Sequence, residues 1–122
     1  MTKQRQAILQ CVNASDKHLC AEEIFDMVRK RLPSVAIGTV YRNLGLLVES
    51  GEVRRIIIPG EPDKYDRNLT PHSHLHCVRC QKLTDIPPLL SREEAEKKLG
   101  QPILTIRTII DYICPECRKG ET

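Results

Sequence analysis

Apolar residues in the first half of the chain recur at intervals of three and four. Ile8, Leu9 and Val12 make one stripe within residues 3–12. Ile24, Phe25, Val28 and Leu32 make a second around residues 21–31, and Val40, Leu44 and Leu47 a third within 37–50. Such spacing puts each set on one helix face, so three short amphipathic helices are predicted. Breaks punctuate them: Asn13 to Asp16 after the first, Pro33 after the second, Gly51 after the third. Cys20 precedes Ala21-Glu22-Glu23 where a capping box would hold Ser or Thr, which leaves the start of the second helix poorly fixed. Residues 53–58, the loop Pro59-Gly60-Glu61-Pro62-Asp63 and then Lys64-Tyr65-Asp66 read as a β-hairpin.

Three short helices and a hairpin are the order of a winged helix-turn-helix, whose third helix enters the DNA major groove. The polar flank of that helix carries Thr39, Tyr41, Arg42 and Asn43. Arginine pairs bidentately with guanine and asparagine with adenine. Arg54 and Arg55, on the first wing strand, are placed to meet phosphates. A helical bundle whose polar face simply meets water is the competing interpretation, and the hairpin weighs against it.

The pattern changes after Asn68–Pro71, which read as a linker. Residues 72–77 and 82–86 are short strands, the latter ended by Pro87-Pro88. Ser91-Arg92-Glu93-Glu94 is a capping box opening a helix over 92–99, closed by Gly100. Residues 103–113 are rich in isoleucine and read as one long strand, whose uncovered edge would form a dimer seam. The predicted class is α+β: a winged-helix DNA-binding domain over 1–67 and a small α/β dimerisation and metal-binding domain over 68–122.

Composition sharpens this division. Only 3% of residues are aromatic, and two cores of about 60 residues each are marginal without a metal or a partner. The net charge of +3 permits nucleic-acid binding without demanding it. Residues 1–66 hold ten Lys/Arg and nine Asp/Glu, and residues 67–122 hold nine and seven, so any DNA affinity must come from local placement or from doubling in a dimer. No signal peptide or membrane-length apolar run is evident, which predicts a cytoplasmic protein in a reducing compartment.

The chemistry concentrates in His72-Ser73-His74-Leu75-His76-Cys77-Val78-Arg79-Cys80 and its echo Cys114-Pro115-Glu116-Cys117. Two C-x-x-C pairs supply the four thiolates of a closed tetrahedral zinc site. The 33 intervening residues exceed a simple zinc ribbon, so a small domain must fold between the knuckles. Unrelated thiols, or two disulfides, are the alternatives. His72 and His74, with His76 next in the series, alternate along a strand and so face one way, able to converge on a second ion or merely to line an exposed strand.

The motif Gly38-Thr39-Val40-Tyr41-Arg42-Asn43-Leu44, followed by His72-x-His74-x-x-Cys77-x-x-Cys80 and Cys114-x-x-Cys117, resembles the ferric uptake regulator (Fur) family of bacterial metal-dependent repressors. The resemblance runs from Thr2-Lys3-Gln4-Arg5 to Cys117 and is strongest to the peroxide-sensing PerR branch. It implies a homodimer on double-stranded operator DNA, a structural Zn(II) on Cys77, Cys80, Cys114 and Cys117, and a regulatory Fe(II) or Mn(II) on His18, Asp66, His72, His74 and Asp85. In that branch peroxide acts at Fe(II) and oxidises a ligand histidine; the matching positions are His18 and His72. Iron-sensing relatives often carry Glu where Asp85 stands.

Several features depart from the family pattern. Relatives have a further helix ahead of Thr-x-Gln-Arg, which often adds basic DNA contacts. Thr105-Ile106-Arg107-Thr108 lacks the histidine of an additional metal site. Ala36 stands where many relatives cap the recognition helix with Ser, a difference of about 1 kcal/mol. Cys11 and Cys20 match no ligand position and read as apolar thiols. An iron-responsive repressor, a zinc-stabilised interaction module without a DNA role, and a metal-dependent hydrolase remain the rival functions. The last lacks a general base outside the ligands, so an enzyme is not expected.

Overall fold

Three helices and a three-stranded sheet build the first of two units, Met1–Leu69 and Thr70–Thr122, in a computed structural model that describes residues 2–15, 17–69 and 72–120. Asp16 of the expected helix break, and Thr70 and Pro71 of the expected linker, lie outside the described residues. Helix α1 (Lys3–Ala14) starts where the Thr2 hydroxyl accepts the Arg5 N–H at 3.1 Å. Strand β1 (Leu19–Cys20) leads directly into α2 (Ala21–Val28). There the Glu23 carboxylate accepts the Cys20 N–H at 3.0 Å, so the reciprocal half of a capping box does part of what a Ser or Thr cap would do.

The second helix is shorter than the 21–31 expected from its stripe. The N–H groups of Arg31 and Leu32 both close onto the Val28 carbonyl, at 3.0 and 2.9 Å, and residues 29–31 form a turn. Pro33 disfavours helical geometry at the residue before it, which tightens the chain early. Helix α3 (Ile37–Glu49) begins at Ala36 with no side-chain cap and ends in a Schellman turn. Glu52 N–H reaches the Leu47 carbonyl at 3.0 Å and Gly51 N–H the Val48 carbonyl at 3.1 Å, with Gly51 at φ 79°. Ile8, Ile24, Val28, Val40, Leu44 and Leu47 are fully buried where the three stripes meet. Strands β2 (Arg54–Ile56) and β3 (Lys64–Asp66) form the hairpin, and the sheet order is β1-β3-β2, antiparallel throughout. This is a winged helix. Its third wing strand, β1, was not expected, because two residues are too few to show a period.

The second unit holds β4 (Ser73–Cys77), β5 (Leu83–Ile86), α4 (Arg92–Leu99), β6 (Ile109–Tyr112) and a short helix α5 (Pro115–Lys119). The β4 strand is central, antiparallel to β5 and parallel to β6. Helix α4 is bracketed as expected. Ser91 Oγ accepts the Glu94 N–H at 3.0 Å, Glu94 accepts the Ser91 N–H at 3.3 Å, and Gly100 closes the helix at φ 64°. The long strand expected over 103–113 is instead only Ile109–Tyr112. A strand extends only as far as its partner offers backbone groups, and five-residue β4 meets this segment from Thr108, whose carbonyl takes the His74 N–H at 3.1 Å. Upstream of that contact Leu104 is 95% exposed. Among the described residues, no helix is long and apolar enough to cross a membrane.

Candidate metal centres and nucleic-acid face

The four knuckle cysteines converge at one end of the second unit. Cys77 ends β4, Cys114 caps α5, and Cys80 and Cys117 follow one turn after each. The Cys77–Cys117 and Cys80–Cys114 sulfur pairs are both 3.8 Å apart, and all four sulfurs lie within 4.8 Å of one another. Disulfide sulfurs would be about 2.05 Å apart. Zn–S bonds of about 2.3 Å in a tetrahedron place sulfurs about 3.8 Å apart, so the cluster fits zinc.

Local hydrogen bonding prepares it. Backbone N–H groups of Cys80 and Cys114 hold the Cys77 thiol down at about 6, the latter at 3.3 Å from its sulfur. The Cys117 thiol, hydrogen-bonded to the Cys114 side chain, is pushed up to about 12. Four crowded thiols thus resist ionising together until a divalent cation takes them all as thiolates. The turn between the first pair puts Gln81 at φ 69°, a left-handed conformation usually left to glycine. Gln81 spends its side chain locally, with Oε1 2.9 Å from His76 Nε2 and Nε2 donating to the Val78 carbonyl at 3.3 Å. His76 Nδ1 lies 2.8 Å from Asp111 on β6. With both ring nitrogens in hydrogen bonds, His76 ties β4 to β6 and to the knuckle.

The histidine and aspartate donors form one group in each unit. In the first, the register Leu19↔Tyr65 sets His18 beside Asp66, with His18 Nε2 3.4 Å from Asp66 Oδ2. In the second, His74 pairs in register with Asp85, and its Nε2 is 3.1 Å from Asp85 Oδ1. His72 Nε2 approaches the same oxygen at 3.3 Å, and the two imidazoles meet edge to face with centroids 4.5 Å apart. Two imidazoles and a carboxylate aimed at one point suit Fe(II), Mn(II) or Zn(II).

On α3, Tyr41 and Arg42 are exposed and Thr39 half-buried. Asn43 is different, and the expectation that it reads bases is corrected. It is only 4% exposed, its Nδ2 donates to the Thr39 carbonyl at 2.9 Å, and its Oδ1 accepts from Arg5 Nε at 3.3 Å. Its amide is spent inside the unit, fastening α3 to α1. The spacing held the signal: Asn43 lies three residues after Val40 and four before Leu47, on the buried stripe. Arg55 is exposed but engaged, 3.7 Å from the Asp63 carboxylate with its guanidinium 5.8 Å from the Tyr65 ring centroid. Arg54 is half-buried and stands in register with Asp66. Sequence reasoning missed Arg5 and Glu22. The Tyr41 hydroxyl donates to Glu22 Oε1 at 2.7 Å, which holds the phenol up at about 12 and the Glu22 carboxyl below its usual range.

A winged helix on the same chain as a four-thiolate zinc site and imidazole–carboxylate donors defines a metal-responsive transcription regulator. The profile of the ferric uptake regulator family matches residues 1–108, and the chain belongs to that family. The peroxide-responsive repressor PerR of Staphylococcus aureus is 30% identical, over 97% of this chain and 82% of that protein. PerR of Staphylococcus epidermidis is 28% identical over 98% and 81%. Among solved structures, the peroxide stress regulator of Campylobacter jejuni superposes with a TM-score of 0.76 at 26% identity, covering 93% of this chain and 88% of that one. Helicobacter pylori Fur reaches a TM-score of 0.85 at 23% identity, covering 100% and 84%, and speaks to the fold alone. Family membership favours a regulator over the bare interaction module considered above.

Proposed function

We propose that this Fur-family protein is a metal-dependent, DNA-binding transcriptional repressor of the PerR type. In this proposal Cys77, Cys80, Cys114 and Cys117 hold a structural Zn(II), and His18, Asp66, His72, His74 and Asp85 hold one exchangeable Fe(II) or Mn(II). The observation that carries the sensor assignment is that each unit pre-pairs its share of this donor set: His18 with Asp66, and His72 and His74 with Asp85. Donors already aimed together bind at a smaller ordering cost. An ion that needs all five favours one arrangement of the chain and shifts its population toward the DNA-binding form.

Fe(II) would supply the electrons that reduce peroxide at this site. The chain's part is to present His18 and His72, whose oxidation removes an imidazole donor and with it the grip on the ion. DNA would be held by a homodimer using Thr39, Tyr41 and Arg42 toward base edges and Arg54 and Arg55 toward phosphates. Exposed Leu89, Leu99, Leu104 and Ile110 of the second unit favour it as the dimerising part. A cytoplasmic location follows, since free thiols and chromosomal targets share that compartment in bacteria.

The test is operator binding by the Fe(II)- and Mn(II)-loaded protein, with and without peroxide, followed by mass spectrometry. The proposal expects DNA release and one added oxygen on the His18 or His72 peptide with Fe(II) only. Unmodified histidines and persistent binding would leave an iron- or manganese-responsive repressor.

A further inference from the structure

On the exposed face of α3, Tyr41 is 46% exposed, yet its hydroxyl is already committed to a carboxylate on a different helix. Glu22 is the second residue of α2, and in a helix-turn-helix the helix before the recognition helix crosses the DNA backbone. A bare helix N-terminus there would attract phosphate. This one carries Glu22 and Glu23 in its first turn, and both carboxyls are held below their usual range. Glu22 is held chiefly by the Tyr41 hydroxyl and Glu23 by the Cys20 backbone N–H. They stay anionic and oppose phosphate.

We infer that Glu22 is a positioning and specificity-determining residue that acts through Tyr41, holding its phenol so that it cannot donate a proton to DNA. This inference rests on the recognition-helix assignment above. A phenol has one O–H and donates it once. With that proton on Glu22 at 2.7 Å, a charge-assisted bond, Tyr41 faces DNA with a lone pair and a ring. Such a group can accept from the exocyclic amine of adenine or cytosine, or pack against a thymine methyl, but cannot donate to guanine O6 or N7, thymine O4 or a phosphate. The carboxylate also repels any phosphate the phenol might otherwise meet. Together these bias Tyr41 toward base edges and away from sequence-blind backbone contacts.

The test uses the full-length protein loaded with Zn(II) and Mn(II). A randomised duplex library yields a preferred duplex, and affinity for it is compared with that for an unselected duplex of equal length. Glu22→Ala should lower this ratio by about tenfold, the scale of one hydrogen bond gained to a charged phosphate, mainly through tighter binding to the unselected duplex. Glu22→Gln, whose carbonyl still accepts the phenolic proton, should retain most of the ratio. In a Tyr41→Phe background Glu22→Ala should leave the ratio unchanged, since no proton remains to position. An equal loss in both backgrounds, or none in either, would overturn the inference while leaving Tyr41 as a reader. If Tyr41→Ala itself leaves the preference intact, the recognition-helix assignment falls as well. Thermal melts of each variant report separately on any stabilising effect at the α2 N-terminus.

Discussion

Replacing Asn43 with alanine removes a side chain that touches both Thr39 and Arg5 from inside the winged helix. Two hydrogen bonds go, at 2.9 and 3.3 Å, around a residue only 4% exposed. Each is worth about 1 kcal/mol net, and the Arg5 guanidinium loses a partner. Alanine returns up to about 0.7 kcal/mol of helix propensity, so the first unit should lose about 1–2 kcal/mol. For a unit of this size that lowers the melting midpoint by about 5–15 °C. Circular dichroism melts of Asn43→Ala, Arg5→Ala and the double variant measure it. Because the two residues touch, the double variant should lose less than the sum of the singles. In DNA binding, Asn43→Ala should weaken preferred and unselected duplexes alike, because a loosened α3 affects every sequence. A variant that melts with the parent but selects different bases would refute this account and return Asn43 to the groove.

Cys114→Ser should abolish stoichiometric zinc and unfold the second unit, because binding free energy at such a site is folding free energy; zinc content and gel filtration check it. Asp85→Ala should weaken Mn(II) binding and metal-dependent DNA affinity at least tenfold while zinc content stays unchanged, as read by metal titration. Tyr41 should remain un-ionised far past pH 10, giving up its proton only near 12, and should move back toward 10 in Glu22→Ala. The phenol's folded value is raised, so its bond to Glu22 contributes fully below pH 10 and is lost as pH rises through about 12. The Glu22 value is lowered, so at the acid end the same bond weakens as pH falls below 4.5. Ultraviolet titration of the three tyrosines follows the alkaline limb.

The helices could be read from the chain because Ile24, Val28, Val40, Leu44 and Leu47 obey one period, and Ser91 with Glu94 marks a start by type and spacing. The four-thiolate cluster followed from the repeated C-x-x-C spacing. Other elements depend on distant partners. Strand β6 is cut short by the length of β4, which its own isoleucines do not reveal. Strand β1 exists because Leu19 finds Tyr65. The roles of Asn43 and His76 turn on neighbours 38 and 35 residues away in sequence. Residue type suggested base reading for Asn43, whereas its angular position on α3 argued for burial. The bond between Glu22 and Tyr41 left no pattern at all, since both are ordinary surface residues until the two helices are packed.

Strand β4 carries donors of both proposed metal sites within five residues. His74 faces one side and Cys77 the other, because three positions along a pleated strand reverse the side. Inserting or deleting a single residue between them would turn one set over relative to the other. Because β4 is hydrogen-bonded to β5 on one edge and to β6 on the other, such a slip would disturb the register with both neighbours. The three-position separation of His74 from Cys77 is what keeps imidazole and thiol on opposite faces of one strand. Under the proposed assignment, a substitution at Asp85, which lies on β5, alters the regulatory donor set without moving any cysteine.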